Sequence, residues 1–206
     1  TYTLVTGTPE FSRAEGTYHD ELMVEISCAT PGAVICYFLE GGDPNEWLVY
    51  DPNVPVFVDH TLTLKARAWR EGLPESAVRT AVYTLMAATP EFTPDGGRYH
   101  EDQTVAVTCA TPGVTIYYTT DGSDPTQNSA VIEPNGVIPV TVEPTTVLKA
   151  IAYKGNLQPS SIKQAEYRLS GIFYVNATAV GANTGVNWAD AFTDLQPALD
   201  AAVRSE

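Results

Sequence analysis

Residues 28–44 read CATPGAVICYFLEGGDP, and residues 109–125 read CATPGVTIYYTTDGSDP. A shift of 81 residues lays Thr8–Pro44 on Thr89–Pro125 without a gap, with about half of the positions identical. Both segments open on TPEF and pass through Tyr18-His19 or Tyr99-His100 before the quoted phrase. The copies then diverge and drift by three residues. They rejoin at TLTLKARAW (61–69) against TTVLKAIAY (145–153), and close on Tyr83-Thr84-Leu85 against Tyr167-Arg168-Leu169. A period of 81–84 residues is too long for a solenoid repeat and fits two tandem copies of a small complete domain.

Within one copy the pattern is that of short strands. Val24–Cys28 alternates apolar and polar residues, as a half-buried strand does. Thr30-Pro31-Gly32 predicts a tight turn, with Pro presetting φ and Gly taking the positive φ. Val34–Leu39, Thr61–Ala68 and Ala77–Leu85 follow as strands, with Leu64, Ala66 and Ala68 on one face. About seven short strands in some 80 residues, with frequent turns, predict an Ig-like sandwich. The expected fold is therefore all-β: sandwich 1 over 8–86, sandwich 2 over 87–169, and a tail over 170–206 holding one helix. Tyr2-Thr3-Leu4 matches Tyr83-Thr84-Leu85 at the same offset. Residues 1–7 are thus expected to be the closing-strand stub of an upstream repeat, and the chain a mature product or a piece of a longer array.

The composition fits this. Pro and Gly number 15 each and punctuate the chain. A net charge of −14 disfavours nucleic acid and anionic membrane surfaces as partners, and suits a soluble secreted surface. No stretch reaches the roughly 18–20 apolar residues of a membrane span. The three cysteines, Cys28, Cys36 and Cys109, are too few and too odd in number for a full disulfide framework. Cys28 and Cys109 read as small buried hydrophobes. Cys36 lies on the face opposite Ile35 and Tyr37, which weighs against a Cys28–Cys36 bond without removing it. No CxxC or Cys/His pairing points to a metal.

The run TPGVTIYYTTDGSDPT (111–126), followed by VLKAIAYKGNLQPSSI (147–162) and a closing tyrosine, resembles the chitobiase/β-hexosaminidase C-terminal domain family, also described as fibronectin-type-III-associated. The second copy keeps Tyr118, Asp121-Gly122, Asp124-Pro125 and Leu148-Lys149-Ala150. The first copy departs, with Glu40-Gly41-Gly42 for Asp-Gly-Ser and Phe38-Leu39 for Thr-Thr. The resemblance implies Ig-like modules appended to secreted or surface-anchored bacterial proteins, often carbohydrate-active ones, with no catalytic residues to carry over. The tail resembles the opening of a right-handed parallel β-helix of bacterial surface proteins. It does so through Tyr174-Val175, the Gly181–Gly185 loop, Asn187-Trp188-Ala189, and a helix with Leu195, Ala198, Leu199 and Ala202 at helical spacing. Thr193 or Asp194 is expected to cap that helix. Such a cap, cut before its first coil, exposes apolar surface and folds back on sandwich 2 or meets another chain.

Candidate chemistry is sparse. Asp121, Asp124, Asp43 and Glu40 sit in turns, where carboxylates bond local amides. Asp121 and Asp124 are weak calcium candidates, lacking the spacing of a calcium loop. His19 and His100 are repeat equivalents, as fold residues would be, and neither they nor His60 belongs to a nucleophile signature. Trp47, Tyr50, Trp69 and Tyr153 are candidates for stacking on a sugar ring, against the alternative that they cover the sandwich or pack at a domain contact. Asn176-Ala177-Thr178 matches a glycosylation triplet. No cofactor is expected. The expectation is a non-catalytic spacer or assembly module, extracellular or on a bacterial cell surface. Its partners would be other domains of its parent protein or copies of itself joined by strand addition. The alternative is a carbohydrate-binding accessory module with glycan partners.

Overall fold

The computed structural model describes residues 4–41, 46–171, 173–185 and 187–204. Asp43 and the first three residues of the expected stub lie outside the described residues. The chain divides into two compact units: residues 1–87 together with Lys154–Pro159, and residues 88–153 together with 160–206. Both are β-sandwiches of Ig-like type.

The first unit contains β1 (Glu10–Phe11), β2 (Gly16–Tyr18), β3 (Leu22–Val24), β4 (Ile26–Ser27), β5 (Val34–Leu39), β6 (Leu48–Val49), β7 (Val56–Val58), β8 (Leu62–Trp69) and β9 (Arg79–Leu85). Its main sheet runs β2-β9-β8-β5-β6, with β2 parallel to β9 and the other pairs antiparallel. The opposing layer is made of the pairs β1-β4 and β3-β7. The single strand expected over Val24–Cys28 is in fact broken at Glu25. There Ser12 intervenes: the Glu25 amide donates to Ser12 Oγ at 2.8 Å, and the Ser12 amide donates to the Glu25 carbonyl at 2.9 Å. The strand changes partner at that point, from β7 to β1.

The second unit repeats the plan with β10 (Glu91–Thr93), β11 (Gly97–Tyr99), β12 (Gln103–Thr108), β13 (Thr115–Thr119), β14 (Ala130–Ile132), β15 (Val137–Val140), β16 (Thr146–Tyr153) and β17 (Lys163–Leu169). Its main sheet is β11-β17-β16-β13-β14, facing β10-β12-β15. Here the strand corresponding to β3 and β4 is continuous.

Period-2 alternation builds both cores. In β8, Leu62, Leu64, Ala66 and Ala68 are buried while Thr63, Lys65, Arg67 and Trp69 face away. Leu62, Leu64 and Ala66 meet Val24, Ile26, Val56, Val58, Tyr83 and Leu85 in the first unit's core. Val105, Val107, Ile116, Ile138, Leu148 and Tyr167 fill the second unit. Each large buried side chain contributes about 1.5–3 kcal/mol. Tyr83 and Tyr167 also anchor chain crossings: their hydroxyls donate to the carbonyls of Arg13 (2.9 Å) and Pro94 (2.8 Å). Burial pushes the Tyr83 phenol up to about 12, and raises that of Tyr167 further.

The tail belongs to the second unit. Asn187 and Asp190 knit its loops: Asn187 Oδ1 accepts from the Ala189 and Asp190 amides, and Asp190 Oδ1 accepts from the Ala182 amide at 2.8 Å. That amide bond, with the Asn187 side chain, holds the Asp190 carboxyl below its ordinary pKa. Phe173 and Phe192 turn toward the sandwich, where Phe173 meets His100 edge-on at 6.0 Å. The helix α1 spans Leu195–Arg204, with Asp194 accepting from the Gln196 amide as its cap. Among its described side chains Ala198 and Ala201 are buried, whereas Leu195 and Leu199 are 58% and 49% exposed. The four residues at helical spacing thus divide, with Ala198 covered and both leucines contributing exposed apolar surface. Small alanines instead allow the close approach, and the leucines look outward.

Candidate functional site

The quoted phrase does its work at the mouth of each sandwich. Gly32 and Gly113 take φ of 72° and 69°, and the Ala33 amide closes the first turn on the Thr30 carbonyl at 3.2 Å. The flanking side chains then grip the incoming chain. The Gly7 amide donates to Thr30 Oγ1 at 2.8 Å, and Cys28 Sγ donates to the Gly7 carbonyl at 3.2 Å. In the second copy the Ala88 amide donates to Thr111 Oγ1 at 2.8 Å, and Cys109 Sγ donates to the Ala88 carbonyl at 3.2 Å. Cys28 and Cys109 are therefore half-buried polar clamps rather than buried hydrophobes. All three cysteines are free thiols, so no Cys28–Cys36 bond forms.

A second constellation surrounds the end of β9 in the first sandwich. The segment Lys154–Pro159, which the sequence assigns to the second repeat, belongs to the first unit. Leu157 is only 7% exposed and joins the first unit's core cluster with Leu62, Tyr83 and Leu85. The Gln158 amide donates to the Leu85 carbonyl at 2.8 Å, and the Ala87 amide donates to the Gln158 carbonyl at 2.9 Å. Gln158 Nε2 donates to Thr61 Oγ1 at 3.1 Å, and Lys154 Nζ donates to Asp20 Oδ1 at 2.6 Å. That lysine bond, with a bond from the Glu21 amide, holds the Asp20 carboxyl below its ordinary pKa. Sequence reasoning missed this seat. The available signal was small: when KGNLQPS (154–160) is laid on REGLPES (70–76), Leu157 falls on Leu73 and Ser160 on Ser76.

The aromatic candidates separate. Register places Val34 opposite Trp69, Cys36 opposite Arg67 and Phe38 opposite Lys65, on the sheet face turned away from the core. Trp47 joins that face: its ring lies 6.1 Å from Phe38, and the Arg67 guanidinium sits 4.3 Å above it. Arg67 is held in turn by Glu75 at 3.2 Å. Such a cation–π contact contributes about 0.5–1 kcal/mol at an exposed site and covers one ring face. Trp69, 46% exposed, borders an open depression of about 570 Å³ with Gly32, Val34, Arg70, Glu71 and Gly72. Tyr50 is a correction: it is 6% exposed and packs edge-on against Tyr37, so its faces are not open to a sugar. Tyr153, in the second unit, is half-buried against Tyr117 at 5.5 Å.

The acidic candidates are engaged locally. Asp121 Oδ1 accepts from the amide (3.0 Å) and hydroxyl (2.6 Å) of Ser123, which hold its carboxyl below the ordinary pKa. Asp124 pairs with Lys149 at 2.8 Å, and Glu40 with Lys65 at 3.8 Å. Asn176 Oδ1 accepts from the amide and hydroxyl of Thr178. Among the described residues, no three His, Cys, Asp or Glu side chains converge as a metal site, and no helix is long and apolar enough to cross a membrane.

Similar solved structures include the fibronectin(III)-like modules of Clostridium thermocellum CbhA, 15% identical, covering 79% of this chain and 94% of that one at a TM-score of 0.31. A two-domain fibronectin type-III segment of chicken tenascin is 11% identical, covering 79% and 98% at 0.33. The BSP domain of a biofilm-associated protein is 14% identical, covering 81% and 30% at 0.27. No curated protein sequence matches the chain. The model of the chitobiase/beta-hexosaminidase C-terminal domain matches twice, over residues 13–80 and 94–164. With more than half of its length so matched, in two copies, the chain belongs to the chitobiase/beta-hexosaminidase C-terminal domain family.

Proposed function

We propose that the chain is a spacer or assembly module of a large secreted or cell-surface bacterial protein, with no chemistry of its own. Membership of an accessory-domain family of Ig-like fold is consistent with a non-catalytic module. The observation that carries the spacer reading is the Leu157 seat. A segment of the second repeat completes the core of the first unit. On this reading that core depends on the second repeat beyond the covalent link, as suits a connector whose first sandwich should not open by itself. Strand addition by residues 1–7, joining copies of the chain, belongs to the same reading. So does a β-helix coil as the cover for Leu195 and Leu199.

Chemical unfolding of a Trp188→Phe chain tests the reading, because Trp47 and Trp69 then report the first unit alone. Their emission and the far-UV circular dichroism of the whole chain should trace one coincident transition. Two well-separated transitions would refute that dependence. Sedimentation with and without residues 1–6 tests strand addition; self-association that persists after the deletion counts against it.

The outward face with Trp47, Arg67 and Trp69 supports a second reading, a carbohydrate-binding accessory module. Trp69 is the ring open for stacking, and Arg67 and Arg70 supply donors beside it. A glycan array comparing the chain with its Trp47→Ala and Trp69→Ala variants decides this. Binding lost in Trp69→Ala supports the reading, and binding that survives both changes excludes these rings.

A further inference from the structure

The Lys154–Pro159 seat has an unfilled counterpart. Residue for residue, Arg70 stands at the position of Lys154, Leu73 at that of Leu157 and Pro74 at that of Gln158. The backbone bond is also repeated: the Thr6 amide donates to the Pro74 carbonyl at 3.1 Å, as the Ala87 amide does to that of Gln158 at 2.9 Å. What differs is cover. Leu85 and Leu157 are 0% and 7% exposed, inside a sandwich core. Their counterparts are less covered: Leu4 is 80% exposed and Leu73 only half-buried, and Val5 beside Leu4 is 55% exposed.

We propose that Leu4, Val5 and the Arg70–Glu75 loop form a docking surface for another sandwich of this same fold, which would bury Leu4 as its closing strand and Leu73 as its core plug. The proposal rests on the spacer reading and names its partner. The partner's chemistry is written in this chain. The seat around Leu157 consists of a closing-strand leucine, a threonine hydroxyl and an acid that holds the incoming cation, namely Leu85, Thr61 and Asp20. The second repeat keeps the same set as Leu169, Thr145 and Glu101. Arg70 would meet the acid as Lys154 meets Asp20.

The test adds such a sandwich to the intact chain. Residues 87–165 are fused directly ahead of Thr1, so that Tyr2-Thr3-Leu4 takes the place of Tyr167-Arg168-Leu169. The added segment holds no Trp and no copy of the Arg70–Glu75 loop, so both remain unique reporters. Amide hydrogen exchange is compared in the fused and unfused chains. Exchange of the Thr6 amide and the Arg70–Glu75 loop should slow by at least ~10-fold on fusion, and Leu73→Asp should return it to the unfused rate. An unchanged rate overturns the proposal, whether the added strands are protected or not, since unprotected strands mean that Leu4 does not close the sandwich. Exchange in Lys154–Pro159 of the unfused chain tests the spacer reading separately, so the two failures are distinguishable.

Discussion

Replacing Leu157 with Ala should destabilise a sandwich to which, by sequence, Leu157 does not belong. The side chain is 7% exposed and packed in the first unit's core cluster. Buried Leu→Ala changes cost about 2–5 kcal/mol, the range reflecting how far the site collapses. Leu157 sits on a loop at the end of the core, where relaxation is easier, so about 2–3 kcal/mol is expected. With both units unfolding together, the chain loses roughly 2 kcal/mol per molar urea. The midpoint reported by Trp47 and Trp69, in the Trp188→Phe background, should therefore fall by about 1 M. Leu73→Ala is the internal control: the same residue type at the equivalent position, only half-buried and outside the core cluster, costing about 1 kcal/mol. If Leu157→Ala shifts the Trp47/Trp69 midpoint no further than Leu73→Ala does, the seat contributes nothing to the first sandwich and the reasoning fails.

Other outcomes follow from the same geometry. Thr111→Val leaves the Ala88 amide without its hydroxyl acceptor in a buried setting and should cost about 1–3 kcal/mol by denaturant titration. Thr30→Val should cost less, because its site is only part-buried. Tyr167→Phe removes one hydrogen bond to the Pro94 carbonyl and should cost about 1 kcal/mol in the same assay. Asp20, whose folded pKa is depressed by Lys154, contributes stability that is present above its unfolded value and lost as pH falls through the folded one. Asp20→Asn should therefore lower stability at pH 7, and the difference from the parent should shrink as pH falls through the depressed folded value. A gap that persists in acid would assign the effect to packing.

Much of the fold was legible because it is written twice. Alternation in TLTLKARAW and TTVLKAIAY fixes which residues face inward, and the shared Pro-Gly turns fix where strands stop. What a repeat comparison does not reveal is partner exchange. The break at Glu25 depends on Ser12 lying across it, a contact thirteen residues away along the chain. Tyr50 lies in the divergent segment, where no second copy marks it as core. The clamp of Cys28 and Thr30 on Gly7 is a side-chain to backbone contact that composition does not encode. The Leu157 seat was hardest to find, because its loop had changed around a single retained leucine.

Native-state hydrogen exchange of the Gln158 and Ala87 amides tests the central claim most directly. If the second repeat's segment is part of the first sandwich, both amides exchange as slowly as the β8 and β9 core strands, opening only when that sandwich unfolds. If they exchange at the rate of the exposed Arg70–Glu75 loop, the segment merely rests on the surface and the account is contradicted.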